Sequence, residues 1–227
     1  MKHHTVAEYY YLDWVSFAIT LGAFAIGFTR RKSHRELTLI LYYLILSLII
    51  DISTIYLYFF SYPTRLVTKL DQLTWIIFVW GEYGFLCAFI INNLSNRFRR
   101  SLSIAILISF YCNFIILPLF HFSEEVLYVT FSALYTISLI IVSLFYFYEL
   151  FHKNELVQVK NLPPFWAIVA ILFYASCSFP IFLFQIFLFK KMPEYYNSIF
   201  SINYFLYCLL YLLFIKAYLC KKKIEYA

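Results

Sequence analysis

Seven apolar segments, each about as long as a membrane-spanning helix, dominate this sequence. They lie near residues 12–29, 37–61, 72–94, 102–122, 126–151, 165–189 and 196–219, and we number them runs 1 to 7. A helix that crosses a bilayer needs roughly 20 mostly apolar residues, and run 1 is the shortest of the set. We therefore predict an all-α membrane protein that forms one seven-transmembrane-helix bundle over residues 1–227.

Composition supports a membrane location. Apolar and aromatic residues make up 63% of the chain and charged residues only 13%. A soluble domain is usually about one quarter charged, so a water-soluble fold could not bury this many apolar side chains. The connections between runs are short, and residues 1–13 lack the basic start and cleavage site of a signal peptide. We expect run 1 to remain as an anchor.

Basic residues predict the orientation of the bundle. The connections after runs 1, 3 and 5 and the C-terminal tail together hold 12 Lys and Arg residues, against 5 on the opposite side. Because cytoplasmic loops of membrane proteins are enriched in Lys and Arg, we expect the N-terminus outside and the C-terminus in the cytoplasm. The predicted location is the inner membrane of a bacterial cell, with multiple passes.

Two carboxylic acids lie inside apolar runs, where a charge costs several kcal/mol and often marks a functional site. Asp51 is just past the middle of run 2 and Glu82 is at the middle of run 3. Since the two runs are consecutive and antiparallel, we expect both acids at a similar depth, each within roughly 5 Å of the midplane. Gly81 and Gly84 flank Glu82 and predict a close helix approach there.

Other polar residues fall on the faces of the runs that would line the same centre. Tyr43, Ser47 and Asp51 share a stripe of run 2. We predict a central cavity that binds a ligand or carries a proton, with these candidate residues: Asp51, Glu82, Asn113, Tyr58, Tyr174, Ser178, Gln185, Asn203 and Tyr207.

No Lys or Arg lies at mid-depth beside the two acids. Two nearby acids without a cation share or hold protons, so we expect at least one to be neutral at pH 7 and to donate a hydrogen bond to a Tyr or Asn. The alternative is purely structural, because a protonated acid also joins helices by hydrogen bonds worth about 1 kcal/mol.

The sequence indicates neither a metal site nor a covalent cofactor. The group His121, Glu124 and Glu125 is more typical of a solvated surface than of metal ligands, and the five cysteines have no CxxC spacing. Lys216 in run 7 lies too near the basic tail to carry a retinal Schiff base, and we expect it to extend to the interface.

Known enzyme signatures are also missing. The sequence contains no HExxH, GxSxG, GxGxxG or phosphate-binding loop motif, so we predict no enzyme. The net charge of +6 is modest and clusters between the apolar runs, which favours membrane orientation over nucleic-acid binding.

Four features carry a resemblance to a known group of proteins. They are Asp51 in run 2, the WGEYGFL segment around Glu82, the PPFWAIVAILFYASCSF segment that opens run 6, and the INYFLYCLLYLLFIKAYLCKKK end. In these features the chain resembles small bacterial seven-helix membrane proteins associated with sensor histidine kinases and two-component signalling. The resemblance implies a sensory or signalling-accessory role without an established ligand, and an output that needs a partner protein.

Three functional hypotheses follow. The first is a receptor-like module in which a small or lipidic ligand, or a proton, biases two packings of the bundle. Its cytoplasmic or membrane signalling partner would contact Arg97, Arg99 and Arg100, although these residues equally suit simple membrane orientation. The second is a proton- or cation-coupled transporter or channel, whose site Pro118 or Pro180 would mark. The third is a subunit or assembly factor of a membrane complex.

Overall fold

The structure is a computed structural model that describes residues 4–60, 65–116, 124–152, 159–191 and 193–220, in places by their backbone alone. Within these ranges almost all residues are helical and none is in a strand, which confirms the predicted all-α class. The α-helices are α1 (His4–Arg30), α2 (Thr38–Phe60), α3 (Arg65–Asn92), α4 (Arg97–Ile116), α5 (Glu124–His152), α6 (Pro163–Lys191) and α7 (Pro193–Leu219). Two short 3-10 helices cover Arg35–Leu37 and Val159–Asn161.

The helices coincide with runs 1 to 7, but several begin earlier than hydropathy predicts. α4 begins at Arg97 instead of near residue 102, because the side chain of Asn96 accepts hydrogen bonds from the backbone N–H groups of Phe98 (2.9 Å) and Arg99 (3.3 Å). Such a cap starts a helix whether or not the first turn is apolar. Proline opens both α6 and α7, where its missing N–H group costs nothing.

The helices pack in a closed ring that follows their order in the chain. Each helix contacts its sequence neighbours, and α1 closes the ring against α7. The packing of α6 against α5 and α7 is the most extensive, whereas α4 contacts α3 and α5 over a smaller area. α3 also contacts α5 across the ring, so the middle of α3 lies inside the bundle.

The outer surface of the ring is apolar. Large side chains such as Ile52, Tyr56 and Phe205 are more than half exposed, whereas the interior holds many buried Tyr, Ser and Thr residues. This arrangement is expected where lipid surrounds the protein, because polar groups must then find partners inside the bundle.

Length and composition also identify membrane-crossing segments. Among the described residues, four stretches are long and apolar enough to cross a membrane: Arg35–Leu57, Val129–His152, Pro163–Gln185 and Ser201–Leu219. Trp14–Arg30 and Ile76–Asn92 are apolar but shorter. These features are those of a helical membrane protein.

Candidate functional site

The centre of the bundle is built around Glu82 on α3, which is only 1% exposed. Glycines bring the neighbouring helices close to it, as the sequence predicts. A Cβ atom on Gly81 would overlap the side chain of Leu46 on α2, and one on Gly84 would lie 2.6 Å from the hydroxyl of Tyr111 on α4. The absence of side chains at these two positions therefore sets how closely α2 and α4 approach α3.

Both carboxyl oxygens of Glu82 accept hydrogen bonds from tyrosines. The Tyr43 hydroxyl on α2 donates to Oε1 at 3.0 Å, and the Tyr207 hydroxyl on α7 donates to Oε2 at 3.2 Å. One side chain thus connects three helices.

A row of hydroxyl groups continues from Tyr43 along the interface of α2 and α7. The Tyr43 hydroxyl lies 3.3 Å from that of Tyr211, which lies 2.7 Å from Oγ of Ser47. All three side chains are buried, and the Tyr43 and Tyr211 rings stack with centroids 6.3 Å apart. Each hydroxyl can donate one hydrogen bond and accept two, so the row is a continuous chain that begins at Glu82.

Two further tyrosines complete the surroundings of the acid. Tyr135 on α5 and Tyr174 on α6 both interact electrostatically with Glu82. Their hydroxyls are fully buried but form no well-aligned hydrogen bond with the residues that the structure describes. The Tyr174 ring packs on that of Tyr207, with centroids 4.6 Å apart. We call the set Tyr43, Tyr135, Tyr174, Tyr207 and Tyr211 the tyrosine cage.

The predicted polar residues of α6 and α7 lie beside this cage. Ser178 donates a hydrogen bond of 2.9 Å to Oδ1 of Asn203, and both side chains are buried. Gln185 is also buried on α6, seven residues after Ser178 and so on the same face of the helix. α6 therefore carries buried polar groups on one face over about two turns, and Ser178 joins that face to α7.

Asp51 lies at the far end of the hydroxyl row. It follows Ser47 by one turn of α2, about 6 Å along the helix axis, and it interacts electrostatically with the Tyr211 phenol. One of its carboxyl oxygens is buried, while the side chain as a whole is partly exposed. The hydroxyl groups of Tyr43, Tyr211 and Ser47 therefore lie between the two acids.

Asn113 does not join the cage. Asn113 donates to the backbone oxygen of Ser109 at 2.8 Å and lines a separate groove of about 300 Å³ between α4 and α5. It was expected in the centre from its depth, but depth does not fix the direction of a side chain around the helix axis. The side chain of Tyr58, near the end of α2, lies outside the described residues.

A second buried carboxylate was not predicted as a site. Glu149 on α5 is 7% exposed and accepts hydrogen bonds from the backbone N–H groups of Ser95 (2.7 Å) and Asn96 (3.2 Å) and from the Ser95 hydroxyl (2.7 Å). Arg99 lies 3.5 Å from the same carboxyl group and stacks over the Tyr148 ring at 4.2 Å. Glu149 thereby attaches the connection between α3 and α4 to α5.

The predicted partner-contact residues differ in exposure. Arg97 and Arg100 are exposed, whereas Arg99 is engaged with α5. Lys216 is exposed and lies 5.3 Å from the centre of the Trp166 ring, which fits a lysine that extends toward an interface. The side chains of the group His121, Glu124 and Glu125 lie outside the described residues, as does Pro118.

Sequence signals for the missed residues were of unequal strength. Tyr43 stood on the polar stripe of run 2, and Tyr211 follows the candidate Tyr207 by about one helical turn, but spacing alone did not show that Tyr43 and Tyr211 face each other. Tyr135 and Glu149 carried no comparable pattern, because each depends on contacts with helices far away in the chain.

The chemistry of the centre is that of an acid without a basic partner. The close contacts between basic and acidic side chains among the described residues are elsewhere, at His34–Glu36 and Arg99–Glu149. Within the same residues, no group of three or more His, Cys, Asp or Glu side chains has the proximity of metal ligands. A buried acid surrounded by hydroxyls can hold a proton or bind a neutral hydroxyl or amide group.

Comparisons with known proteins give no further constraint. No family model, curated protein or solved structure matches this chain.

Proposed function

We propose that this protein is a receptor-like, sensory membrane module whose input acts at Glu82 and the tyrosine cage. In this proposal all seven helices cross the inner membrane of a bacterial cell, with the N-terminus outside and the C-terminus in the cytoplasm. The bundle has at least two packings, and the input shifts the population between them.

The observation that carries the proposal is the pair of hydrogen bonds from Tyr43 and Tyr207 to one buried carboxyl group. An ionised Glu82 accepts both bonds. A neutral Glu82 carries a proton on one oxygen, so the bond on that side must reverse or break. Because the two tyrosines belong to α2 and α7, a local change at the acid becomes a change in the packing of three helices.

Unused hydrogen-bonding capacity supports an input at this position. The buried hydroxyls of Tyr135 and Tyr174 face Glu82 without well-aligned partners among the described residues. Each hydroxyl can still form a better-aligned hydrogen bond, which a bound proton donor or acceptor would provide. A small neutral ligand with a hydroxyl or amide group therefore suits the cage as well as a proton does.

The output would pass to a signalling partner through the ends of the helices. Arg97 and Arg100 are exposed at the start of α4, next to the connection that Glu149 holds on α5. α3 carries Glu82 and leads directly into that connection. A shift of α3 would thus reach a charged surface, and the resemblance to proteins of two-component signalling favours a cytoplasmic partner there.

The test compares helix distances in the full chain in lipid vesicles. Spin labels replace Asn92 on α3 and Lys216 on α7, both exposed, in a background whose native cysteines are replaced by alanine. We expect Glu82→Gln to shift the distance distribution relative to the parent, because it mimics the neutral acid. The matched control Asn113→Ala lies in the groove between α4 and α5 and should leave the distribution unchanged. Identical distributions for the parent and Glu82→Gln would overturn the proposal.

Orientation is tested separately. A reporter that is active only in the cytoplasm, fused after Ala227, should be active, and an N-terminal epitope should be accessible from outside. The opposite pattern would reverse the proposed topology and move the output surface to the outside.

Coupled transport is the second candidate, and the position of Asp51 favours it. One Asp51 oxygen is buried while the side chain is partly exposed, which is the placement expected for an acid that loads a proton or cation. Proteoliposome flux that Asp51→Asn abolishes would favour transport over sensing.

A further inference from the structure

The polar groups between the two intramembrane acids form an ordered row. From Oε1 of Glu82 the row passes to Tyr43 at 3.0 Å, then to Tyr211 at 3.3 Å, and then to Ser47 at 2.7 Å. Asp51 follows one turn further along α2 and interacts electrostatically with Tyr211. Every oxygen–oxygen separation along this row is 3.3 Å or less, so no apolar gap interrupts it between Glu82 and Ser47.

We propose that the input of the receptor is a proton, which reaches Glu82 from Asp51 through the hydroxyl groups of Ser47, Tyr211 and Tyr43. This inference rests on the proposed function, because it names the ligand of the same site. It also assigns roles that differ between the two hydrogen bonds of Glu82: Tyr43 conducts, whereas Tyr207 only holds the carboxyl group.

The proposed transfer balances without a further reactant. A protonated Asp51 releases its proton to the row, each hydroxyl accepts one proton and releases another to the next oxygen, and Glu82 receives the last one. Asp51 ends as a carboxylate and Glu82 as a neutral acid, while the O–H bonds of the intervening groups are re-formed. A hydroxyl can do this because it has both a donor hydrogen and acceptor lone pairs.

The accessibility of the acids gives the row a direction. Asp51 is partly exposed, whereas Glu82 is 1% exposed. We therefore assign Asp51, the less buried acid, as the group that receives the proton first.

The described side chains that face Glu82 are neutral and supply no second source of protons or charge. The helices packed around it present tyrosines: Tyr43 on α2, Tyr135 on α5, Tyr174 on α6, and Tyr207 and Tyr211 on α7. On α4, Tyr111 donates instead to the backbone oxygen of Trp80. On α3 itself, Tyr83 packs on Phe110 of α4, with ring centroids 4.1 Å apart. Among the described residues, Asp51 is thus the acid that the row of hydroxyl groups connects to Glu82.

The test measures how fast Glu82 takes up a proton. The full chain in lipid vesicles is subjected to a light-triggered pH jump, and the infrared C=O band of protonated Glu82 is followed in time. The band is identified by its loss in Glu82→Gln. We expect Tyr211→Phe to slow its appearance by about tenfold or more, because the ring remains while the conducting oxygen is lost.

A control variant separates conduction along the row from the general loss of a tyrosine hydroxyl. Tyr111→Phe also removes one tyrosine hydroxyl, but that hydroxyl donates to the Trp80 backbone and lies outside the row and the cage, so the rate should change by no more than about twofold. Ser47→Ala and Asp51→Asn interrupt the other end of the row. Both should slow the appearance of the Glu82 band, as Tyr211→Phe does. Ser47→Ala removes a single oxygen, so it provides the test if Tyr211→Phe does not fold.

Several results would overturn the inference. One is a Glu82 band that does not respond to pH between about 5 and 9. Others are an unchanged rate in both Tyr211→Phe and Ser47→Ala, or equal slowing by Tyr111→Phe. If helix distances respond to Glu82→Gln while the row variants keep the parent rate, the pathway is wrong and the receptor proposal stands. If the row variants slow proton uptake but Glu82→Gln leaves the helix distances unchanged, the receptor proposal is wrong and the pathway stands.

Discussion

The Tyr207 hydroxyl on α7 donates a hydrogen bond of 3.2 Å to Oε2 of Glu82 on α3, although 125 positions separate the two residues in the chain. Tyr43 on α2 occupies the other carboxyl oxygen at 3.0 Å. Glu82 is therefore a junction of three helices, and its removal should affect stability as well as function.

We expect Glu82→Ala to be more destabilising than Glu82→Gln. Alanine leaves two buried hydroxyls without an acceptor, whereas glutamine keeps one carbonyl oxygen and a similar volume. The difference in unfolding free energy, measured by detergent titration in mixed micelles, should be about 1–3 kcal/mol. Equal stability of the two variants would show that the tyrosines find other partners.

The hydrogen bond between Ser178 and Asn203 should be measurable as a coupling between α6 and α7. Ser178→Ala, Asn203→Ala and the double variant form a cycle, and we expect a coupling free energy of about 0.6 kcal/mol and at most about 1.7 kcal/mol. The control cycle pairs Asn203→Ala with Ser138→Ala, because Ser138 donates to the Leu134 backbone at 2.6 Å. A coupling as large in the control cycle would contradict the assignment.

Gly84→Ala should destabilise the contact between α3 and α4. The added Cβ atom would lie 2.6 Å from the Tyr111 hydroxyl, which must then move away from the Trp80 backbone oxygen that it contacts at 3.0 Å. We expect a loss of about 1–3 kcal/mol of unfolding free energy. Gly22→Ala is the matched control, since no atom lies within 4 Å of the new Cβ. A loss of similar size at Gly22 would point to a general effect of the substitution.

Glu149→Ala should release the connection between α3 and α4. The backbone N–H groups of Ser95 and Asn96 lose their acceptor, so we expect faster amide hydrogen exchange at these two residues and weaker attachment of α4. Glu149→Gln keeps an acceptor oxygen and loses the ion pair with Arg99, so its exchange rates should be intermediate. Unchanged rates in Glu149→Ala would mean that the connection is held by other contacts.

Hydropathy identified the helices well but not all of their ends. Run 2 predicted a helix near residues 37–61, and α2 covers Thr38–Phe60. The prediction is good there because both ends of the helix coincide with changes in hydropathy. It was less accurate for α4, which starts at Arg97 because a side-chain cap, rather than an apolar residue, begins the helix.

The candidate residues could be predicted only where helical spacing groups them. Asp51 and Glu82 were evident because an acid within an apolar run is costly and therefore conspicuous. Asn113 was expected in the centre from its depth, but depth does not tell which way a side chain points around the helix axis. In the structure it faces the groove between α4 and α5.

By itself the sequence determined the all-helical class, the apolar surface and the two acids within apolar segments, since these depend on the composition of single segments. Only the tertiary structure decided that Tyr207 and Tyr43 share Glu82, that Tyr211 extends the hydroxyl row, and that Glu149 holds a connection more than 50 residues away. These relationships depend on how each helix is rotated about its axis and on which helices pack together. Both follow from the joint packing of all the side chains, which no single segment encodes.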